Sequence, residues 1–411
     1  MTTLPLHEFH HRLGARFAGL NGMEIVNDYG DWLAEHAALR ETAGIIDLSF
    51  RSRLCLVGHD RVRFLHGQVT NDVKTLRVGE GCYAAITTNK GKMESDLNIF
   101  CLADELLLDF EPGLTEKISQ RLEKFIVADD VQIVDVAPHY GLLSIQGPKA
   151  GEVVRALGWF GVPPSGGAAD TPSGRVNAEL PTQPFNSVKI SDAALDEIYL
   201  ISHPRLDCRQ GRAGSPLPAV GAHGVTRPTI YGFDLLIPKS SLAAMADKLI
   251  AAAKQIGGLV APKQSEGGRA CGWRAFETAR IEAGIPRFGA DMDETNLPLE
   301  CGIENRAVSY NKGCYIGQEV INRIHSFGHV TKELRGLRLA DDLQSLPEKG
   351  DKLFRDGKEI GYVTSAVKSP AAGNIALGYV RREVNQIGTE LILKTAASES
   401  TAKIVKLPFV K

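Results

Sequence analysis

Residues 309–329 read SYNKGCYIGQEVINRIHSFGH. In this stretch Lys312 and Cys314 come directly before a segment whose pattern predicts a helix that begins near Ile316 or Gly317. Cys314 would then lie beside N–H groups that have no partner within the helix, at the positive end of the helix dipole. Lys312 adds a cation two residues away. Both effects favour the thiolate form, so the sequence predicts a reactive sulfur at this position.

The neighbouring glycines, Gly313 and Gly317, would let the backbone approach another group closely. A thiol in this setting could act as a nucleophile, as a redox centre or as one ligand of a shared metal cluster. The simpler alternative is a semi-buried packing residue in a loop. The seven cysteines are scattered and contain no C-x-x-C pair, which argues against a disulfide framework and a self-contained zinc or iron–sulfur site. Cys55 and Cys101 lie in apolar runs, and we expect both to be buried.

The composition is that of a globular protein without a strong charge bias. The chain has 411 residues, of which 43% are hydrophobic and 23% charged, enough for two or three domains. Lysine and arginine total 47 against 49 acidic residues, so we expect no nucleic-acid partner. No apolar run approaches the roughly 20 residues of a membrane span, and the N-terminus lacks the pattern of a secretory signal. We therefore expect a cytoplasmic, monomeric protein without a membrane partner.

Strands and helices alternate irregularly in the first part of the chain. Strand patterns occupy residues 82–112, with a turn at 89–91, and a helix pattern follows in which Leu114, Ile118, Leu122 and Phe125 recur at helical spacing. Two more strand patterns lie within 131–148. This order predicts an α+β fold with a mostly antiparallel sheet that carries helices on one face.

Two stretches rich in Gly and Pro, near 161–186 and 205–226, read as long insertions because they lack apolar periodicity. After about Thr331 the chain changes to five short alternating runs, with a hairpin turn at Asp356 and Gly357. We therefore expect residues 331–411 to form a separate small β-barrel or β-sandwich domain.

The segment KGCYIGQE, residues 312–319, resembles the signature of the YgfZ-type folate-binding proteins. These are relatives of the glycine cleavage T-protein, which transfers aminomethyl groups to tetrahydrofolate. Further blocks resemble the same superfamily in the same order, among them FLHGQVTNDV at 64–73, TTNKGKMESDLNIF at 87–100 and ARIEAGIPRFGADM at 279–292. Together the blocks cover most of residues 35 to 330.

The resemblance implies the aminomethyltransferase fold, a pseudo-trimeric ring around a folate channel. Residues 1–330 would form two interleaved α+β subdomains that hold the pterin, and residues 331–411 would form the small C-terminal β-barrel. The implied cofactor is tetrahydrofolate or a related reduced folate.

Several residues correspond to the superfamily's folate contacts. Asp234 stands where the family has a glutamate that binds the pterin edge. Arg280 and Glu282 match the helix that carries the arginines for the glutamyl tail, but Phe276 replaces the first of them. Asn71 would contact the ligand or form a turn.

The transferase branch also has paired aspartates after a glycine turn, one of which assists at the folate nitrogen. Here Ser95 replaces the first and Asp96 retains the second, while Lys92 replaces a glycine. In the signature, Lys312 would tune Cys314, and the side chains that follow would fix the loop, cap the helix or contact the cofactor: Tyr315, Gln318 and Glu319.

Three functions remain open. The first, implied by the resemblance, is tetrahydrofolate-dependent support of iron–sulfur cluster assembly or repair in client proteins through Cys314. The second is a folate-dependent aminomethyltransferase or demethylase, which needs Asp96 as a working base. The third is a folate-binding module without chemistry.

Overall fold

The computed structural model describes residues 1–160, 180–192, 195–207, 231–256, 267–396 and 398–410. Most of both predicted insertions lies outside these ranges, as does Cys208. Within the described ranges, no helix combines the length and the apolar character that crossing a bilayer requires.

Nine α-helices lie in the described parts of the chain. They are α1 His7–Arg12, α2 Trp32–Glu41, α3 Arg61–Gln68, α4 Thr115–Glu123, α5 Ala150–Ala156, α6 Leu242–Gln255, α7 Trp273–Glu282, α8 Glu304–Ala307 and α9 Gln318–Phe327.

Nineteen strands accompany them in the same ranges. They are β1 Arg16–Leu20, β2 Met23–Asp28, β3 Gly44–Asp47, β4 Ser52–Val57, β5 Gly81–Thr87, β6 Met93–Cys101, β7 Leu106–Phe110, β8 Gln132–Asp135, β9 Tyr140–Gly147, β10 Ser187–Asp192, β11 Asp196–Ser202, β12 Tyr231–Pro238, β13 Arg269–Ala270, β14 Lys332–Leu339, β15 Lys352–Arg355, β16 Lys358–Ser369, β17 Gly373–Arg381, β18 Glu390–Lys394 and β19 Glu399–Val405.

Two sheets form the body of the protein, and the predicted α+β class is confirmed. One sheet has the order β5-β6-β7-β4-β8 and is antiparallel throughout. The other has the order β10-β11-β12-β9-β3-β13, and only the pairing of β13 with β3 is parallel. In the first sheet the outer face packs against α3 and α4, where Ile118 and Leu122 are fully buried, as the helical spacing predicts.

The inner faces of the two sheets meet. Because side chains alternate along a strand, Leu54 and Leu56 of β4 face the helices while Cys55 faces the second sheet. Cys55 packs there with Leu236 of β12, and its predicted burial is confirmed. The same alternation turns Asp96 of β6 toward this inner layer, since Leu97 belongs to the helix-facing core.

The C-terminal part forms a closed barrel of six strands in the order β14-β17-β16-β15-β18-β19. The prediction of five strands was wrong by one, because a single apolar run contains both β15 and β16. Asp356 and Gly357 reverse the chain between these two strands, with φ of 51° and 75°, and the predicted hairpin turn at these residues is confirmed.

Candidate functional site

A cavity opens where the inner face of the first sheet meets α7 and the segment around α8. Its walls combine aromatic rings with charged side chains. The lining residues are Leu48, Arg51, Tyr83, Asp96, Asn98, Glu111, Phe185, His203, Arg205, Trp273, Phe276, Arg280, Ile285, Pro286, Arg287 and Arg306.

Asp96 is the lining carboxylate that is not held by an arginine. Tyr83 on the neighbouring strand β5 donates its phenolic hydrogen to Asp96 Oδ2 over 2.7 Å. Burial, and secondarily the negative charge of Glu111, raise the pKa of Asp96 to about 6. An Asp with this pKa is ionised at neutral pH and can still take up a proton readily. Ser95 faces the helix side instead, where it is fully buried.

Glu111 and four of the lining arginines belong to one continuous chain of ion pairs that runs between the two sheets and on toward the barrel. Five carboxylates alternate with four arginines, all of them mostly buried. The order is Asp234, Arg205, Asp109, Arg51, Glu111, Arg287, Glu277, Arg280 and Asp291. Because each arginine bridges two carboxylates, the chain holds the cavity wall in place.

Asp234 occupies one end of this chain and does not line the cavity. It is 1% exposed, and its carboxylate accepts hydrogen bonds from Ser144 (2.7 Å), His203 (2.8 Å) and Arg205 (2.9 Å). Burial alone would raise the pKa of Asp234, but Arg205 and His203 hold it below the ordinary value. The short side chain is therefore enclosed between the sheets, and its contact with a pterin stays a prediction.

Arg280 and Glu282 of α7 tie the body to the barrel. Arg280 donates to Asp291, Glu277 and, over 3.0 Å, to Ser365 on β16. These contacts occupy both Nη atoms, whereas Nε is buried without a hydrogen-bond partner among the described residues and Arg280 also lines the cavity. Most N–H donors of the Arg280 guanidinium are therefore already used by the protein, and few remain for the glutamyl tail that the resemblance assigns to this residue.

Glu282 is fully buried and lies outside the cavity lining. It accepts hydrogen bonds from His36 Nε2 over 3.0 Å and from Ser369 on β16. The carbonyl of Glu282 also accepts from the amide of Phe409 near the C-terminus of the described chain. Glu282 therefore connects α7 to α2 and to the barrel, and it does not line the cavity.

The motif at 312–319 surrounds the start of α9, as predicted. Gly317 is the N-cap residue with φ of 90°, and a Cβ there would lie 2.6 Å from Thr87 Oγ1. A side chain at this position would therefore be strained and would also clash, which explains the glycine. Cys314 is exposed at the surface, but it is not among the residues that line the cavity.

Lys312 points away from the surface, into the end of α3. Its ammonium group donates to the carbonyls of His66 (2.5 Å), Val69 (2.6 Å) and Asn71 (2.9 Å). Burial lowers its pKa to about 8. Tyr315 is buried, and its ring lies 4.9 Å from the ammonium. Lys312 thus caps the carboxyl end of α3, and its effect on the Cys314 thiol stays a prediction.

Of the remaining predicted residues, Asn71 connects two segments of the cavity wall, and Gln318 and Glu319 lie at the start of α9. Asn71 donates to the carbonyls of Tyr83 (2.8 Å) and Arg306 (2.9 Å), so it joins two cavity-lining segments without lining the cavity itself. Glu319 is exposed and Gln318 half-buried at the start of α9. Neither lines the cavity.

Three lining residues have no signal in the sequence that would have marked them: Tyr83, Glu111 and Arg306. Tyr83 and Glu111 lie in ordinary strand patterns, and Arg306 lies in a short helix. Only the register of the pairing between β5 and β6 shows that Tyr83 and Asp96 share a face and are neighbours.

Comparisons with known proteins agree with this architecture. Residues 6–160 match the GCVT N-terminal domain, and residues 332–411 match the glycine cleavage T-protein C-terminal barrel domain. An aminomethyltransferase of Geobacillus sp. (strain WCH70) is 27% identical, with 99% of this chain and 98% of that protein covered. One of Symbiobacterium thermophilum is 28% identical, with 99% and 96% covered.

A solved structure shares the fold. The crystal structure of glycine cleavage system aminomethyltransferase T from Bartonella henselae superposes with a TM-score of 0.77 at 23% sequence identity. The match covers 100% of this chain and 98% of that chain.

Proposed function

Because the chain belongs to the glycine cleavage T-protein superfamily, we propose that it is a tetrahydrofolate-dependent one-carbon transferase of the aminomethyltransferase type, with Asp96 as its proton-accepting group. The observation that carries this proposal is the state of Asp96. It is the cavity's carboxylate without an arginine partner among the described residues, its orientation is fixed by Tyr83, and its pKa of about 6 suits proton transfer near neutral pH.

The lining suits a reduced folate in its chemistry. Tyr83, Trp273 and Phe276 supply flat apolar surface of the kind that packs against a pterin or a benzoyl ring. Arg280 contributes a positive charge to the same lining. Asp96 offers a carboxylate to the N–H groups of the ring system.

Bound tetrahydrofolate would supply the nitrogen that accepts the one-carbon unit. Transfer of an aminomethyl group would form two carbon–nitrogen bonds to the folate, would release the donor and ammonia, and would need no oxidant. The two protons that the folate nitrogens lose would end on the donor and on the ammonia, so a residue of this chain has to hold a proton on the way. Asp96 can take such a proton on one oxygen while Tyr83 donates its hydroxyl hydrogen to the other.

The experiment that tests this proposal is single-turnover transfer with tetrahydrofolate and an aminomethyl donor, compared between the wild-type protein and Asp96→Asn. Retained transfer in the variant would contradict the proposal. Asp104→Asn is the matched control, because Asp104 is an exposed aspartate that does not line the cavity.

A second candidate is favoured by one specific observation. Of the six described cysteines, five are buried and Cys314 is exposed, within the motif that resembles the YgfZ-type proteins. On this alternative the protein binds folate and supports iron–sulfur cluster assembly in client enzymes through Cys314. Its test is the activity of iron–sulfur enzymes in cells that carry Cys314→Ser in place of the wild-type protein.

A further inference from the structure

One buried histidine of the cavity wall has no part in the transfer described above. His203 directly follows β11, is 5% exposed and lines the cavity. Its amide donates to the Gly232 carbonyl over 2.8 Å, and its carbonyl accepts from Gln146 Nε2 over 3.0 Å. The imidazole therefore extends from a fixed segment, and a ligand can contact it without reorganising the backbone.

Asp234 fixes which nitrogen of this ring carries a hydrogen. Its carboxylate lies 2.8 Å from His203 Nδ1. Against the effect of burial, Arg205 and His203 keep the pKa of Asp234 below its ordinary value, so the carboxylate is ionised and can only accept. Burial, and secondarily the charge of Arg205, lower the pKa of His203. The ring is therefore neutral at pH 7, with a hydrogen on Nδ1 and a lone pair on Nε2.

The lone pair on Nε2 is open to the cavity. Nε2 forms no hydrogen bond with any residue that the structure describes, and the protein does not enclose this atom. The ring of Phe185, which also lines the cavity, lies 5.2 Å from the imidazole ring between their centroids. A hydrogen-bond acceptor beside an aromatic ring, in a largely enclosed space, favours a flat ligand that carries an N–H or O–H group.

The pterin ring is the part of a reduced folate that fits this acceptor. It is flat and has several N–H groups on its edge, so it can lie against Phe185 while it donates to Nε2. The glutamyl tail is anionic and offers mainly acceptors, which a lone pair repels. Asp234 does not line the cavity, so its charge acts on a ligand there through the imidazole.

We propose that His203 binds the folate ring, with Nε2 as the acceptor of one pterin N–H group and with Asp234 as the residue that positions the imidazole. This inference rests on the proposed function, since it needs a reduced folate in the cavity, and it adds a binding residue to that function. Because Asp234 accepts the Nδ1 hydrogen, it holds the orientation of the ring and makes Nε2 a stronger acceptor.

The test uses two substitutions that separate the two nitrogens of His203. In His203→Asn the side-chain amide lies near the Nδ1 position and can still donate to Asp234, but no atom replaces Nε2. In His203→Gln the longer side chain brings a carbonyl oxygen near the Nε2 position. Calorimetry gives the dissociation constants of tetrahydrofolate and of 6-methyltetrahydropterin, which lacks the benzoylglutamate. His139→Asn is the matched control, because His139 is exposed and does not line the cavity.

We expect His203→Asn to bind both ligands about three- to tenfold more weakly, as the loss of one hydrogen bond predicts. His203→Gln should recover most of this loss, and His139→Asn should match the wild-type protein. Asp234→Asn should also weaken binding. It should add no further loss in a protein that already carries His203→Asn, since Asp234 acts through the imidazole.

Acid should remove the same hydrogen bond, because protonation converts Nε2 from an acceptor into a donor. The affinity of the wild-type protein should therefore fall below about pH 6.5, and more steeply than that of His203→Gln. The charged groups that act on His203 are Asp234 on β12, Arg205 after β11 and Asp109 on β7. These groups, Asp96 and the ligand are the same in both proteins, so the difference between the two curves reports the imidazole.

Two results would overturn the inference. One is unchanged affinity for both ligands in a folded His203→Asn protein. The other is weaker binding of tetrahydrofolate with unchanged binding of 6-methyltetrahydropterin, which would place His203 beside the folate tail. If His203→Asn does not fold, an acid dependence of His203→Gln equal to that of the wild-type protein overturns it instead. Failure of the transferase proposal is recognised separately, by transfer that persists in Asp96→Asn.

Discussion

Tyr83 and Asp96 lie on adjacent antiparallel strands and share a hydrogen bond of 2.7 Å from the phenol to the carboxylate. This bond has two effects on Asp96, one on its position and one on its pKa. It fixes the position of one carboxylate oxygen, and it limits how far burial raises the pKa. The predictions below follow from this pair and from the ion-pair chain around it.

Removal of the carboxylate should stop transfer without unfolding the protein. Asp96→Asn keeps the size of the side chain and can still accept the hydrogen bond from Tyr83. We expect the transfer rate to fall by about 10²- to 10⁴-fold, the usual contribution of a general base. The melting temperature should stay the same or rise slightly, because the variant no longer buries a charge. Asp104→Asn should match the wild-type protein in both measurements.

Removal of the phenol should move the pH dependence of the reaction. Tyr83→Phe keeps the ring beneath Arg306 but deletes the donor that stabilises the ionised form of Asp96. The pKa of Asp96 should therefore rise above about 6, by about one pH unit for a hydrogen bond to a charged group. The acidic limb of the pH–rate profile should shift upward by the same amount. Tyr199→Phe, a change outside the cavity, should leave the profile in place.

The ion-pair chain should make the free energy of unfolding fall as the pH is lowered below about 4.5. Arg280 and Arg287 hold the pKa of Glu277 at about 2 against the opposing effect of burial. Because the folded-state value lies below the ordinary value, the stabilisation is complete above about pH 4.5 and is lost as the pH falls toward 2. Urea unfolding at pH 7 should show Glu277→Gln to be less stable by about 2–3 kcal/mol.

That difference should shrink between pH 4.5 and 2, because Glu277 of the unfolded wild-type chain takes up a proton in this range while the folded carboxylate stays ionised until about pH 2. Glu41→Gln, which changes an exposed glutamate at the end of α2, serves as the control and should stay within about 0.5 kcal/mol of the wild-type protein. An equal deficit of Glu277→Gln at pH 7 and at pH 2.5 would show that the ion pair is not its cause.

The exposed thiol separates the two candidate functions. Cys314→Ser alters a surface side chain outside the cavity, so tetrahydrofolate affinity and the melting temperature should not change. On the transferase proposal the transfer rate should stay within about twofold of the wild-type value. Loss of iron–sulfur enzyme activity in cells, with transfer intact, would instead support the second candidate. Loss of transfer itself would place the thiol in the reaction and contradict the role given to Asp96.

Local signals in the sequence predict much of the fold. The glycine before α9, the hairpin at Asp356 and Gly357, and the helical spacing around Ile118 each act over a few residues, and the structure confirms all three. The count of barrel strands was missed only because an apolar run continued through a turn.

The roles of individual polar residues were much harder to predict. Arg280 and Glu282 looked like ligand contacts, but their partners Ser365 and Ser369 lie more than eighty residues away in the chain. Asp234 is neutralised by Arg205, which no local pattern connects to it. The guanidinium of Arg306 forms no ion pair within the described parts of the chain, which no local pattern in the sequence could have predicted.

The measurement that tests the central claim most directly is the pH dependence of single-turnover transfer in the wild-type protein and in Asp96→Asn. The account predicts a wild-type rate that rises with pH through a midpoint of about 6 and then levels off, because Asp96 must be ionised to accept a proton. The slow residual rate of the variant should lack this step. A step at the same pH in both proteins would contradict the assignment of Asp96 as the proton acceptor.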